Sequence, residues 1–147
     1  MPAPYLFAPA YGPPSTQTLT TTMSNITGLS QNVVAGATYR FYVAFNNTAS
    51  ASTTTFSFSM GGTLTASFAS YRVTMGSNAT GGQGSQMASA IPGPGTLITA
   101  GGAFTSGTVI DGIVAVSGSG TLTAQGKIGV ATATVLANGI FILEQIA

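Results

Sequence analysis

Side chains that could carry out chemistry are scarce in this sequence. Its 147 residues include no His and no Cys, which are the commonest groups in acid–base and nucleophilic catalysis. The carboxylates are limited to Asp111 and Glu144, and two lone acids so far apart in the chain are more typical of structural positions than of an acid–base pair. Lys127 lacks the Ser-x-x-Lys spacing that would activate a serine. We therefore expect no catalytic residue and predict that the protein is not an enzyme.

Signals for cofactors and metals are equally weak. The glycines around position 82 are not followed by a helical segment, which the glycine-rich phosphate-binding fingerprints require. No Cys or His cluster with metal-ligand spacing is possible. The three Asn-x-Thr sequons are expected by chance in a chain so rich in Asn and Thr. We expect no cofactor and no bound metal.

The charge content narrows the choice of partners. The charged side chains are Arg40, Arg72, Asp111, Lys127 and Glu144, and the net charge is +1. Nucleic-acid binding is not expected, because its affinity comes largely from several Lys and Arg side chains acting together. Near-zero charge favours association, so we expect a homo-oligomer.

The hydropathy pattern does not predict a membrane protein. The mean hydropathy is positive, yet no apolar run approaches the roughly 20 residues of a spanning helix, and no secretory signal is expected at the N-terminus.

Two alternating segments between residues 38 and 60 organise the predicted fold. Each has apolar side chains at every second position, which is the pattern of a strand with one buried face. A polar Asn/Thr/Ala/Ser stretch separates them, so the pair is predicted to form a β-hairpin. The predicted inward face consists of Tyr39, Phe41, Val43, Phe45, Phe56 and Phe58.

The other side of the first strand carries Arg40 and Tyr42. These are the large side chains of a surface that is otherwise small and neutral. We therefore predict that Arg40 and Tyr42 bind a partner subunit.

The first 17 residues are predicted to form an extended arm, because proline fixes φ and lacks an N–H. A disordered tail is one interpretation. Four large apolar side chains favour an arm docked on its own domain or on a neighbouring subunit. The predicted partner-binding residues of this arm are Tyr5, Leu6, Phe7 and Tyr11.

The remaining chain, residues 18–147, is predicted to be one all-β domain. Residues 25–29 indicate a turn, residues 76–95 a long surface loop without a regular element, and Asn138-Gly139 a hairpin turn. Nine or ten short strands with no helical periodicity predict an antiparallel β-sandwich or jelly roll.

Asp111 has two interpretations. It precedes Gly112, and Asp-Gly favours a type I′ hairpin turn, which is the interpretation we prefer. Alternatively, its carboxylate pairs with Arg40 or Arg72, because a half-buried charge in an apolar strand is costly unless it is paired.

The order of these patterns resembles a recurrent β-domain of tailed-bacteriophage virion proteins. The resemblance rests on the string GLSQNVVAGATYRFYVAF at residues 28–45, on the acid-Gly step at residues 109–112, on GTLTAQ at residues 120–125 and on the terminal segment at residues 135–146. It covers roughly residues 18–147 and leaves the arm outside.

The resemblance implies a phage structural protein, commonly trimeric, with no activity and no cofactor. We expect a capsid decoration (cement) protein on the exterior of the virion, assembled in the host cytoplasm. Its partner would be the major capsid protein of the phage head, and it would stabilise the assembled shell. The alternative is a tail-fibre or spike module that binds host-surface glycan through aromatics such as Tyr42 or Tyr71 and the loop at 76–95.

Overall fold

The structure is a computed structural model that describes residues 5–50, 55–76, 84–93, 96–99 and 104–147. These residues contain no helix and form thirteen strands, so the predicted all-β class is confirmed. In chain order the strands are β1 (Tyr5–Leu6), β2 (Ala10–Gly12), β3 (Gln17–Thr18), β4 (Ser24–Val33), β5 (Thr38–Ala49), β6 (Thr55–Gly62), β7 (Thr65–Met75), β8 (Gly84–Ala88), β9 (Thr96–Thr99), β10 (Phe104–Gly118), β11 (Gly120–Ile128), β12 (Ala133–Val135) and β13 (Gly139–Gln145).

The strands form two antiparallel sheets in a sandwich-like arrangement. The large sheet has nine strands, with the order β1-β13-β5-β10-β7-β8, and β2, β3 and β12 pair beside this path. The small sheet has four strands, with the order β4-β11-β6-β9. Consecutive long strands thus alternate between the sheets, so most sequence neighbours face each other across the core instead of pairing.

The predicted inward face is buried as expected. All six of its aromatic and aliphatic side chains belong to one continuous hydrophobic core. The rings of Phe45 from the large sheet and Phe58 from the small sheet meet edge to face, with centroids 5.1 Å apart. Burying each such side chain stabilises the fold by roughly 1.5 to 3 kcal/mol.

The predicted hairpin between these two segments is wrong. β5 pairs with β10, β12 and β13, whereas β6 pairs with β9 and β11 in the other sheet. Two strands with one apolar face each can bury those faces either side by side or face to face. The period of two is the same in both arrangements, and here the faces meet across the core.

Part of the predicted polar connection also belongs to β5. Asn47 is completely buried, and its Oδ1 accepts hydrogen bonds from Thr108 Oγ1 at 2.7 Å and Ser106 Oγ at 3.3 Å. Its Nδ2 lies 3.6 Å from Met75 Sδ. These partners on β10 and β7 allow the amide of Asn47 to be buried in the core. Residues 51–54 lie outside the described part.

The Asn138-Gly139 step is not a hairpin turn. Asn138 has a positive φ of 71°, as its residue type suggested, but β12 and β13 do not pair with each other. Both run antiparallel to β5, β12 opposite residues 47–49 and β13 opposite residues 39–44. The step therefore separates two segments that lie in line along one side of β5 and that pair on their other side with β1, β2 and β3.

Two further predictions are corrected by the strand pairing. Residues 25–29 are part of β4, and Gly28 (φ +82°) lies where the register between β4 and β11 shifts. A Cβ at Gly28 would lie 2.4 Å from the carbonyl oxygen of Tyr11, so the close approach of β2 also requires a glycine there. The predicted loop contains β8, which pairs with β7. Of that loop, residues 77–83 and 94–95 lie outside the described part.

Candidate functional site

The outward side of the large sheet gathers the side chains that sequence analysis had singled out one at a time. Along β5, Arg40 and Tyr42 alternate with buried neighbours and therefore point away from the core. Tyr42 lies opposite Ile142 on β13 and opposite Asp111 on β10. Asp111 in turn lies opposite Arg72 on β7, which completes a row across four strands.

A second row runs parallel to the first, one step along the strands. Arg40 lies opposite Glu144 on β13 and opposite Ile113 on β10. Beyond Glu144, β1 places Leu6 at the same level. At the far edge of the first row, Met87 of β8 lies opposite Arg72. Neighbouring strands lie about 4.8 Å apart, so these rows form one continuous surface.

Four of the five charged side chains of the protein lie on this surface, as two cross-strand ion pairs. Arg40 Nε and Nη2 both donate to Glu144 Oε2, at 2.9 and 2.5 Å. Arg72 Nη2 lies 3.6 Å from Asp111 Oδ1. The surface therefore carries two positive and two negative side chains, and its net charge is zero.

The Arg72–Asp111 pair corrects the preferred interpretation of Asp111. The Asp111-Gly112 step lies in the middle of β10, paired on both sides, and is not a hairpin turn. A glycine is required at position 112 for a different reason, because a Cβ there would lie 2.3 Å from the Tyr71 Cβ and 2.4 Å from the Ser70 carbonyl oxygen. Asp111 and Gly112 therefore occupy a strand although both residue types favour turns: Asp111 pairs with Arg72, and the crowding by Tyr71 leaves room only for a glycine at position 112.

The same surface is unusually apolar. Six of the nine large hydrophobic side chains that are exposed in the described residues lie on it. The pairing places each of them on the outward side, at exposed fractions between 38 and 66%. A depression of about 780 Å³ lies at its centre. We call this surface the outer face; it comprises Leu6, Tyr11, Arg40, Tyr42, Phe68, Arg72, Met87, Asp111, Ile113, Ile142 and Glu144.

The four predicted residues of the N-terminal arm take different positions. β1 and β2 pair with β13, so this segment lies on its own domain. Phe7 packs against the core, with its ring centroid 5.9 Å from that of Tyr39. The side chains of Tyr5, Leu6 and Tyr11 are exposed, and the last two extend the outer face.

The arm is held by short contacts as well as by strand pairing. Gln31 Nε2 donates to the carbonyl oxygen of Ala8 at 2.8 Å. Gly12 lies so close to the strand beneath it that an added Cβ would be 2.0 Å from the Thr27 carbonyl oxygen. Removing the arm would therefore disturb β4 and β13 as well as any surface it presents.

Tyr71, one of the two aromatics proposed for glycan binding, is not on the surface. Its ring is buried, and its hydroxyl accepts a hydrogen bond from the Met60 N–H at 3.3 Å. Burial raises the pKa of this hydroxyl above its ordinary value of 10.0, and the hydrogen bond from Met60 acts in the opposite direction. Tyr71 is a core residue, which leaves Tyr42 as the accessible aromatic of that pair.

Sequence reasoning found Arg40 and Tyr42 but missed Phe68, Ile113 and Met87. The outward position of Ile113 could have been predicted, because it is two positions from Asp111 in an alternating strand. The outward position of Met87 could not, since the glycine-rich composition around it predicted a loop. No sequence signal connected Leu6 of the arm with this face.

The outer face consists of apolar side chains and of charged side chains that are paired within the chain.

Among the described residues, no group of three potential metal ligands occurs, and no buried side-chain nitrogen or oxygen lacks a hydrogen-bond partner. The described residues include no helix that is long and apolar enough to cross a membrane. No protein-family model matches the chain, and no curated protein matches its sequence.

Proposed function

We propose that the protein is a bacteriophage structural protein that decorates the capsid and stabilises the assembled head shell. The observation that carries the proposal is the outer face: a broad, apolar, charge-balanced surface on a small β-domain with almost no other charge. Exposed apolar surface of this extent is typical of an interaction site. An assembly partner with an uncharged surface would cover it.

Stabilisation of the shell would follow from mass action. A protein that binds the assembled shell and not its free subunits shifts the equilibrium toward the shell. The major capsid protein is the proposed partner, bound on the exterior of the head. Tyr5 at the tip of the arm is the proposed contact with the shell. Leu6 and Tyr11 of the arm, together with Arg40 and Tyr42, are the proposed contacts with a neighbouring subunit, and Phe7 anchors the arm to its own core.

The strand order supports the jelly-roll interpretation. The strands β4, β6, β9 and β11 of the small sheet alternate along the chain with β5, β7, β10 and β13 of the large sheet. Such alternation between two antiparallel sheets is characteristic of Greek-key sandwiches and jelly rolls. We further infer that residues 1–17 act as an extended arm and that the assembled form is a homotrimer.

A binding assay with tailless capsids tests this function. Purified protein is mixed with capsids that lack it, and the bound fraction is measured by co-sedimentation together with the temperature at which the shells open. The expected result is saturable binding and a higher opening temperature. Absence of binding, or recovery of the protein from virions only in the tail fraction, would refute the proposal.

The contribution of the arm is best tested without deleting it, because β1 and β2 pair with β13. The substitution Tyr5→Ser removes an exposed side chain and leaves the backbone pairing of β1 intact. We expect weaker capsid binding at unchanged stability. Val34→Ser is the matched control, since Val34 is exposed to a similar degree outside the outer face.

Tyr42 supports a second candidate, a tail-fibre or spike module for host-surface recognition. Its half-exposed ring lies beside the carboxylate of Asp111 and near the guanidinium of Arg72. An aromatic plane flanked by polar groups is an arrangement suited to sugars. Binding of host-surface glycan that is lost in Tyr42→Ala, with no binding to capsids, would favour this candidate.

A further inference from the structure

The extent of the outer face can be compared with that of known interfaces. Its six exposed hydrophobic side chains are Leu6, Tyr11, Tyr42, Phe68, Met87 and Ile113. Their exposed fractions of 38–66%, applied to roughly 200 Å² per large side chain, amount to about 650 Å² of apolar side-chain surface. A stable interface buries about 800 Å² per partner, polar rim included. The outer face therefore has the size of one complete interface.

Charge restricts what can cover this face. Each charged group on it already has a partner within the chain, Arg40 with Glu144 and Arg72 with Asp111. A charged partner surface would gain no unpaired counter-charge here and would lose its own hydration. The complementary surface must therefore be apolar and neutral.

We propose that a second copy of this chain covers the outer face. Lys127, on β11 of the small sheet, is the one charged side chain of the sequence that is not in an ion pair on this face. The outer faces of neighbouring copies thus meet as neutral, apolar surfaces without an unpaired side-chain charge. This inference builds on the proposed function, because it assigns the partner of the face and leaves the exposed tip of the arm, at Tyr5, free for the shell.

Sedimentation of the full chain over about 1 to 100 µM tests the inference, because self-association depends on concentration. The wild type is expected to be oligomeric within this range. Phe68→Glu and Met87→Glu place a charge on each face and change side chains that are already exposed. Burying these unpaired charges should weaken association at least about 100-fold.

The matched controls are Val34→Glu and Val130→Glu. Both valines are 55% exposed, close to the 56% of Phe68, and both lie outside the outer face. They should associate like the wild type. Circular dichroism and thermal unfolding of all four variants show whether each is folded, and two independent outer-face variants guard against the misfolding of one.

A monomeric wild type at the highest concentration would overturn the inference, and so would unchanged association of folded Phe68→Glu and Met87→Glu. The capsid-binding assay is independent of this result. A monomer that binds shells through the outer face would refute self-association and support the proposed function. An oligomer that dissociates on Phe68→Glu but does not bind shells would support the inference and refute the function.

Discussion

Gly112 is the position at which a single methyl group should have the largest effect. It lies in the middle of β10, opposite Phe41 on one side and Tyr71 on the other. The two rings approach each other over the glycine, with centroids 6.0 Å apart. In Gly112→Ala the new Cβ would lie 2.3 Å from the Tyr71 Cβ and 2.4 Å from the Ser70 carbonyl oxygen. No flexible side-chain end can move aside, so the strands themselves must shift.

The size of the effect follows from two opposing contributions. Overpacking against rigid neighbours costs roughly 3 kcal/mol at the upper end of its usual range. Alanine regains about 0.5–1 kcal/mol through its smaller loss of conformational entropy in a strand. We therefore expect Gly112→Ala to lower the free energy of unfolding by about 2 kcal/mol. For a domain of this length, that corresponds to a decrease in Tm of roughly 4–8 °C.

Urea unfolding followed by circular dichroism measures this change. Gly76→Ala is the control, because a Cβ at Gly76 meets nothing within 4 Å and its φ is not in the left-handed region. We expect the control to match the wild type or to be slightly more stable. Near-UV circular dichroism should also change in Gly112→Ala alone, since Tyr71 is displaced. A Gly112→Ala protein as stable as the wild type would refute the crowding argument.

Four further predictions concern charge, hydrogen bonding and pH. Asp111→Asn should lower the free energy of unfolding by less than about 1 kcal/mol, because its contact with Arg72 is long and partly exposed; a loss twice as large in urea unfolding would contradict this. Asn47→Leu should cost about 2–4 kcal/mol in the same assay, since the buried Thr108 hydroxyl and a neighbouring hydroxyl lose their acceptor; a near-neutral result would show that the network contributes little. The raised pKa of Tyr71 means that the unfolded state releases its proton at a lower pH than the folded state, so stability should be constant below the ordinary value of 10.0 and fall above it. Tyr71→Phe should flatten that alkaline decline in unfolding free energy measured against pH, and an unchanged decline would exclude Tyr71 as its source. Finally, self-association should change little between low and moderate salt, because the ion pairs are closed within each chain; a steep salt dependence in sedimentation would indicate charged contacts between copies.

Local patterns in the sequence were sufficient for the class of the fold and the composition of the core. Alternation in residues 38–60 correctly identified two strands and their buried sides, because side-chain direction in a strand depends only on its own backbone. Alternation also set Arg72 on the opposite side from Tyr71, as observed. The shortage of charged residues predicted a surface of small neutral side chains, whereas the outer face carries six large exposed hydrophobic side chains.

Turn signals were less reliable, since tertiary contacts override them. Asn138-Gly139 and Asp111-Gly112 both favour a two-residue hairpin turn. The first instead separates two segments that both pair with β5, and the second lies inside a central strand. A glycine is required at position 112 by crowding from Tyr71, which the local sequence does not reveal. A glycine can thus be required either by a turn or by a close neighbour, and the local sequence does not distinguish the two.

The sequence by itself determined that this protein is a β-domain with an aromatic core, few charges and no His or Cys. The tertiary structure alone decided which strands are neighbours, and through them that Leu6, Tyr42, Ile113 and Met87 share one face. The physical reason is that alternation specifies which side of a strand is buried, whereas strand order and register are selected by packing between segments far apart in the chain. The outer face is a product of that packing.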